Sequence, residues 1–90
     1  MNDQVWFVYI LQCGDGTLYT GSTTDVQRRL EQHRSGMGAK YTRGRGPLRL
    51  LYQETCGDHS TALRREIQIK SMSRQQKLQV IKSASDAALR

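Results

Sequence analysis

Two tyrosines, an arginine and a histidine stand at positions from which they could act together on a phosphodiester. Tyr9 lies in an apolar run, and Tyr19 opens a short polar segment. Arg29 and His33 follow, four residues apart. A phenol or an imidazole can transfer a proton, and a guanidinium can stabilise negative charge on phosphoryl oxygens. If the tyrosine segments pair as a hairpin and a helix follows, the four side chains converge on one surface.

The hairpin is predicted by the first part of the chain. Residues 5–12 are apolar at nearly every position, which is typical of a central strand covered on both faces. Residues 14–16 are a strong turn signal, and residues 17–21 form a short second strand. We therefore expect the first strand to lie between the two other strands of a sheet. Ordinary strand packing is the alternative role for each tyrosine.

The next segment predicts the helix that carries the arginine and the histidine. Thr24 begins a capping-box pattern, and the helix should run to about residue 35 with Val26 and Leu30 on its buried stripe. Arg29 and His33 share one helical face close to that stripe. The alternative roles are an ordinary surface cation and a partly buried histidine near a helix end.

The rest of the chain predicts a loop, a strand and two helices. Residues 36–47 are rich in glycine, and regular structure is not expected there. A strand, a helix, a capped helix and a frayed tail should follow in order: 48–55, 60–71, 73–82 and 83–90. The order β-β-α-β-α-α predicts one α+β domain over 1–82, in which helices flank a three-stranded antiparallel sheet.

Composition limits the classes of protein to which this chain can belong. Ninety residues suffice for one small domain, and no apolar stretch approaches the roughly 20 residues that span a bilayer. Cys13 and Cys56 lack metal-ligand spacing, which is typical of a reduced protein with two structural thiols. The first residues show no signal-peptide pattern. We therefore expect a cytoplasmic protein without a membrane partner.

The charge is unevenly distributed along the chain. Fourteen basic and eight acidic residues give a formal net charge of +6. Residues 34–49 contain five basic and no acidic side chains, and residues 64–82 contain six basic side chains and Glu66. Such surfaces attract nucleic acids through release of counterions from phosphates. A merely solubilising surface is the alternative.

The glycine-rich loop places one aromatic residue among three cations. Lys40, Arg43 and Arg45 could follow a phosphate backbone while Tyr41 stacks on an unpaired base. A plain solvent-exposed loop is an equally good interpretation.

Glu66 lies on what reads as the apolar face of the second helix. That face is formed by four residues at helical spacing: Ala62, Leu63, Ile67 and Ile69. A buried carboxylate is costly unless it is paired or binds a cation. Lys70, one turn further on, is the structural partner that position favours. The alternative is a divalent metal ion held by one carboxylate and several waters, as is common at phosphate-processing sites, and the neighbouring tyrosines and Arg29 favour the metal.

These residues and their spacing resemble the GIY-YIG nuclease domain. Residues 7–9, Phe-Val-Tyr, stand where the family has Gly-Ile-Tyr, and residues 19–21, Tyr-Thr-Gly, stand where it has Tyr-Ile-Gly. Arg29 matches the family's catalytic arginine, His33 a histidine or tyrosine, and Glu66 the metal-binding glutamate. The resemblance extends over about residues 5–82, as in the small stand-alone members of that superfamily. The three-letter motifs are weak alone, but their spacing with the later residues is specific.

Two departures from the family pattern stand out. Phe7 replaces the first motif's glycine, which affects packing more than chemistry. Many family nucleases have a late asparagine that supports the active site, whereas this chain has none after Asn2. Either compact members dispense with it, or Lys70 or Lys77 partly substitutes, or catalysis is weakened.

The resemblance implies metal-dependent hydrolysis of nucleic acid, with DNA favoured over RNA, in DNA repair or processing. Glu66 would hold Mg²⁺ or Mn²⁺, and Arg29 would neutralise charge on the phosphoryl oxygens. Tyr9 or Tyr19 would accept the proton of the attacking water, with His33 as a rival base or as the group that orients a tyrosine. Gly21 would keep the backbone clear for the phosphate.

Sequence specificity should be low, and a larger protein partner could supply it. Lys70 and Lys77 join the loop cations as expected nucleic-acid contacts. The alternatives are a nucleic-acid-binding module with little or no cleavage, and an adaptor whose basic helices bind an acidic protein.

Overall fold

The computed structural model describes residues 4–88, and within them a three-stranded antiparallel sheet is flanked by three helices. In chain order the elements are β1 Trp6–Gln12, β2 Leu18–Thr23, α1 Val26–Arg34, a 3₁₀ turn Lys40–Thr42, β3 Arg49–Cys56, α2 His59–Lys70 and α3 Arg74–Ala88. The predicted α+β fold and its order β-β-α-β-α-α are therefore confirmed. No helix in this part of the chain is long and apolar enough to cross a membrane.

The position of β1 in the centre of the sheet is also confirmed. The strand order is β2-β1-β3, and Tyr9 on β1 faces Gly21 on one side and Gln53 on the other. The pairing with β3 shifts register between Ile10 and Leu11. Because both sheet faces are covered at β1, this strand is apolar at consecutive positions rather than alternating.

Each face of the sheet carries its own small core. One contains Val8 and Ile10 of β1 with three further residues, and we call it the α2 layer: Val8, Ile10, Cys56, Ala62 and Ile69. The other, on the side of α1, we call the α1 layer: Tyr9, Leu11, Cys13, Leu30 and Leu48. Alternation along β1 sends successive side chains into opposite layers, so Tyr9 belongs to the α1 layer.

The helix starts partly differ from those predicted. Asp25, rather than Thr24, caps α1, and its carboxylate accepts a 3.1 Å hydrogen bond from the Arg28 backbone N–H. Asp58 caps α2 in the same way. The box that begins α3 is as predicted, because Ser73 and Gln76 each accept a hydrogen bond from the other's backbone N–H. Thr24 and Asp25 can both cap a helix, and the sequence alone did not separate them.

The predicted apolar face of α2 was too wide. Leu63 and Ile67 are 42% and 67% exposed, whereas Ala62 and Ile69 are fully buried. The helix is buried along a narrow stripe marked by Ala62 and Ile69, two turns apart. Glu66 lies between these two residues along the helix and is half-buried.

The end of the chain differs from the prediction in length. The helix expected to end near residue 82 continues to Ala88, and residues 89–90 lie outside the described part of the chain. That the tail 83–90 frays stays a prediction. The glycine-rich loop contains one 3₁₀ turn, Lys40–Thr42, where no regular structure was expected.

Candidate active site

A buried hydrogen bond joins the first tyrosine to the histidine. The Tyr9 side chain is 1% exposed, and its hydroxyl oxygen lies 2.8 Å from His33 Nε2. Tyr9 projects from the centre of β1, and His33 lies in the last turn of α1 on the stripe that buries Val26 and Leu30. The helix therefore delivers an imidazole to the phenol.

Gly21 makes room for this phenol. It faces Tyr9 across the β1–β2 pair, and a Cβ atom at position 21 would lie 2.5 Å from the Tyr9 hydroxyl oxygen. Any side chain there would displace the ring. The expected role of Gly21 in phosphate approach stays a prediction. The structure shows a second reason for a glycine at this position, which is the space that the Tyr9 ring needs.

The loop that follows α1 determines which nitrogen of His33 carries the hydrogen. The Ala39 backbone N–H donates to Nδ1 at 3.2 Å, so Nδ1 keeps its lone pair in the neutral ring. The buried Thr42 hydroxyl donates to the Ala39 carbonyl at 2.8 Å and lies 3.1 Å from Nδ1. From this network we assign the proton to Nε2, which then donates to Tyr9.

Burial and charge hold both groups in their neutral forms. Burial lowers the pKa of His33, and the positive charge of Arg29 lowers it further. Burial raises the pKa of Tyr9 to about 12, and the nearby Tyr19 and Glu66 add to that rise. Arg29 acts in the opposite direction on Tyr9, because a guanidinium favours the phenolate.

Arg29 is held close to the tyrosine by its own helix. It is half-buried, and its Nη1 donates a 2.9 Å hydrogen bond to Gln32 Oε1 one turn later. Arg28, its neighbour, points about 100° away around the helix and is exposed. Arg29, Tyr9 and His33 thus form the converging group that the sequence predicted.

The second tyrosine connects this group to the glycine-rich loop. The Tyr19 ring meets His33 edge-on at 5.2 Å and stacks against Tyr41 at 5.8 Å between centroids. The Arg45 guanidinium lies 4.3 Å above the Tyr41 ring and forms a 2.6 Å ion pair with Asp15. An unpaired nucleic-acid base, which the sequence predicted to stack on Tyr41, would have to compete with Tyr19 and Arg45 for that ring.

Glu66 approaches the same strand from the other sheet face. Its Oε1 accepts a 2.7 Å hydrogen bond from the Ser22 hydroxyl, and its Oε2 lies 2.7 Å from Lys70 Nζ. The ion pair with Lys70, one of the two predicted interpretations, is therefore present. Ser22 adjoins Gly21 on β2, so this serine links the carboxylate to the strand that faces Tyr9.

The donor atoms around Glu66 fit only one kind of metal site. Among residues 4–88, no group of three or more His, Cys, Asp or Glu side chains is placed to hold a metal ion. Mg²⁺ and Mn²⁺ accept one protein carboxylate if waters and a substrate phosphate complete the coordination. Glu66 fits that arrangement, whereas a metal held by protein ligands alone does not fit.

The remaining predicted nucleic-acid contacts are distributed over the surface. Lys40 and Arg43 are exposed on the loop. Lys77 lies on α3, which packs chiefly against β3 at the opposite edge of the sheet from β2. The structure therefore does not bring Lys77 to the tyrosines.

Several contributors to the site were not predicted. Ser22, Gln32 and Ala39 form hydrogen bonds to Glu66, Arg29 and His33, respectively, and Thr42 donates to the Ala39 carbonyl beside His33. Their residue types are common in strands, helices and loops, and no local pattern distinguishes them. Gly38 is a further unpredicted contributor. A Cβ atom at this position would lie 2.8 Å from the His33 Cα, so only glycine fits there.

Comparison with known proteins identifies the family. A family model described as the GIY-YIG catalytic domain matches residues 5–79, most of the chain. The chain belongs to the GIY-YIG family. The predicted resemblance is confirmed, and this GIY-YIG domain is a nuclease-like protein whose implied substrate is a nucleic acid.

Its relatives include small bacterial proteins called UPF0213. One from Desulfotalea psychrophila is 52% identical over 80 residues, which cover 88% of this chain and 73% of the relative. One from Yersinia pestis is 49% identical over 81 residues, which cover 90% and 85%. The GIY-YIG domain therefore occupies most of each relative as well.

Two solution NMR structures share the fold. The UPF0213 protein of Bacillus halodurans is 50% identical, with a TM-score of 0.57 over 87% of this chain and 83% of that one. A protein from E. faecalis is 38% identical, with a TM-score of 0.64 over 93% and 90%. The α+β architecture of this GIY-YIG domain thus agrees with those of similar proteins.

Proposed function

We propose that this chain is a divalent-metal-dependent, endonuclease-like protein of the cytoplasm that hydrolyses nucleic-acid phosphodiester bonds with little sequence specificity. DNA is the favoured substrate and DNA repair or processing the proposed role. The observation that carries the proposal is the buried 2.8 Å hydrogen bond between Tyr9 and His33, with Arg29 beside it. A buried phenol, a neutral imidazole and a guanidinium suit proton transfer next to a developing negative charge.

Tyr9 is the proposed proton acceptor. The His33 Nε2–H bond to its oxygen stabilises the phenolate, and the Arg29 charge favours the same form. The phenolate form of Tyr9 takes a proton from a water, the hydroxide so formed attacks the phosphorus, and the bond to the leaving oxygen breaks on the opposite side. His33 is neutral and uses its Nε2–H to hold Tyr9, so it positions the tyrosine rather than replacing it.

Arg29 is the proposed charge stabiliser. Phosphoryl oxygens gain negative charge as the water attacks, and a guanidinium can bind two of them at once. Glu66 would hold Mg²⁺ or Mn²⁺, which when bound polarises the scissile phosphate and stabilises the leaving oxygen. To do so, the carboxylate must exchange its Lys70 partner for the metal.

One observation favours a second candidate function, a nucleic-acid-binding module that cleaves weakly or not at all. Both Glu66 oxygens already have partners, Ser22 and Lys70. The structure can therefore satisfy this carboxylate without a metal. The basic loop would still attract nucleic acid through its exposed cations, Lys40 and Arg43.

A cleavage screen separates the two functions. Single-stranded, duplex and branched DNA and RNA are incubated with wild type, Glu66→Gln and Lys70→Gln in Mg²⁺ and in Mn²⁺. If Glu66 is the metal ligand, Glu66→Gln abolishes cleavage and keeps most binding, whereas Lys70→Gln retains cleavage because the carboxylate remains. Lys70 is 50% exposed, so loss of the ion pair should lower the free energy of unfolding by only about 0–1 kcal/mol.

Three results decide the outcome. Cleavage that survives Glu66→Gln contradicts the metal role of Glu66. Salt-sensitive binding with no cleavage of any substrate favours the binding module. Loss of cleavage in Glu66→Gln, with a melting temperature near that of wild type, supports the nuclease.

A further inference from the structure

An aromatic pair beside the site has no part in the chemistry proposed above. The Trp6 indole stacks on the His59 imidazole with ring centroids 3.9 Å apart and planes 13° from parallel. Trp6 begins β1, and His59 begins α2. The indole is only half-buried, although it also packs against the α2 layer. A flat aromatic surface is thus held in a fixed orientation and remains partly open to solvent.

A groove of about 330 Å³ connects Trp6 to the candidate active site. Its lining includes Trp6, Ser22 and Arg29. Ser22 donates to the Glu66 carboxylate, and Arg29 is the proposed charge stabiliser. A ligand in this groove would therefore be continuous with the phosphate at which cleavage is proposed. The volume lies at the lower end of the roughly 300–1,000 Å³ range of ligand sites.

The groove's charge suits a phosphate next to a base. Arg28 and Arg29 both line it, and Arg28 is exposed. Asp25 also lines it, but its carboxylate is engaged by the Arg28 backbone N–H. Two arginines, one capping aspartate and a tryptophan therefore line the same groove.

We propose that this groove binds one unpaired nucleotide next to the scissile phosphate, with its base stacked on Trp6 and its phosphate on Arg28. The inference rests on the proposed function and deepens it by naming the substrate class: nucleic acid with an unpaired base at the cleavage site. Bases inside a duplex are stacked on each other and cannot present a face to the indole. Stacking on aromatic side chains tolerates any base, in keeping with low sequence specificity.

The protein carries its own reporter for this site, because Trp6 is its one tryptophan. Its emission is excited at the red edge of the absorption band, where tyrosine does not absorb. A single-stranded oligonucleotide of about eight residues and a fully paired, blunt-ended duplex without loops are titrated in EDTA, so that nothing is cleaved. Anisotropy of a dye on each nucleic acid measures binding independently. We expect the single strand to quench Trp6 with the same midpoint as the anisotropy, and the duplex to bind without quenching.

Variants test whether the stack contributes affinity. Loss of one stacked base costs about 1–3 kcal/mol, which is about a 5- to 140-fold weaker Kd. Trp6→Leu should weaken single-strand binding by a factor in that range and leave duplex binding unchanged. Trp6→Phe, which keeps an aromatic ring and most of the packing in the α2 layer, should retain most of the affinity. Arg28→Ala, at an exposed position, should lower the salt slope of single-strand binding by about 1.

The results distinguish failure of this inference from failure of the proposed function. Single-strand binding that leaves Trp6 emission unchanged, with Trp6→Leu and Arg28→Ala binding as wild type, overturns the subsite and leaves the nuclease proposal standing. Equal quenching by the duplex overturns the requirement for an unpaired base. If no nucleic acid binds in any form, the proposed function fails and the subsite fails with it.

Discussion

Arg29 acts on both members of the buried pair. Its positive charge lowers the pKa of Tyr9 and that of His33, which favours a phenolate beside a neutral imidazole. Replacing it removes this bias together with the charge that we propose meets the phosphoryl oxygens. Arg29→Ala should therefore lower the cleavage rate by a factor of about 100 or more, with a smaller change in Kd. Single-turnover rates at saturating protein measure this effect.

Arg64→Ala is the matched control for this prediction. Arg64 is an exposed arginine on α2 whose guanidinium donates to Ser60. It should cleave as wild type does. If Arg29→Ala retains the full rate while Arg64→Ala also does, Arg29 has no role in the transition state.

The acidity of Tyr9 predicts how cleavage depends on pH. With a pKa of about 12, only a small fraction of Tyr9 is ionised at neutral pH, and that fraction grows about tenfold with each pH unit. If Tyr9 is the base, the single-turnover rate should rise with pH from neutral into the alkaline range. Tyr9→Phe should remove this rise along with most of the activity. A rate independent of pH in that range would contradict the role of Tyr9.

The same pKa predicts a change in stability that needs no substrate. The unfolded chain ionises Tyr9 near pH 10, whereas the folded chain resists ionisation up to about pH 12. The unfolded state thus gains stability over this interval, so the contribution of Tyr9 is complete below pH 10 and is lost as pH rises to 12. Wild type should lose up to about 3 kcal/mol more than Tyr9→Phe across that window in urea unfolding.

At the scale of elements, the glycine-rich loop has two separate tasks. Ala39, Thr42 and Tyr41 contact the site, and Arg45 is held by Asp15. Exposed cations on the same loop remain available to a polyanion. The loop that orients His33 is therefore also the one expected to meet the nucleic acid.

The two exposed cations should account for the loop's salt-sensitive binding. Lys40→Gln combined with Arg43→Gln should flatten the slope of log Kd against log salt by about 0.7–0.9 for each phosphate that is no longer neutralised. Arg64→Gln with Lys82→Gln removes the same charge elsewhere and should change the slope less. Arg45 is tested alone, since Asp15 already offsets its charge. Equal slopes for the two double variants would exclude the loop from the footprint.

The sequence was informative wherever one local pattern determined the outcome. The apolar run of β1 predicted a central strand, and helical spacing placed Arg29 and His33 on one face. The predicted buried face of α2 was wrong. Helical periodicity shows which residues form an apolar arc, but not which part of that arc contacts the sheet. Leu63 and Ile67 satisfy the pattern and are nonetheless exposed.

Contacts between distant segments could not be predicted in the same way. The Ser22–Glu66 hydrogen bond spans 44 positions along the chain, and it depends on how α2 lies across β2. The His33 tautomer depends on one amide of Ala39, and every residue except proline has such an amide. The sequence predicted that Tyr9, Arg29 and His33 lie together, but not which groups hold them in place.

At the scale of the whole molecule, charge should couple metal binding to nucleic-acid binding. The chain carries a net charge of +6, and the candidate metal position offers one carboxylate that is already paired with Lys70. The protein alone should therefore have a low affinity for divalent cations. A bound nucleic acid should raise that affinity, because its phosphate supplies ligands and negative charge. Calorimetry with Mn²⁺ should show weak or no binding without DNA, and clear binding with DNA in the Tyr9→Phe variant, which lacks the proposed base.

Glu66→Gln is the control for that coupling. It should abolish the DNA-dependent Mn²⁺ site while the DNA itself still binds. Tight Mn²⁺ binding in the absence of DNA would mean that the protein supplies more ligands than Glu66.

Because the core is divided into two layers, the opening of each layer can be measured separately. Cys13 lies in the α1 layer and Cys56 in the α2 layer, both free and buried. A thiol-reactive reagent can modify each cysteine only while its own layer is open. The alkylation rate at each position therefore measures how often that layer opens locally. If nucleic acid closes the loop over Tyr19 and His33, Cys13 should become slower to modify than Cys56.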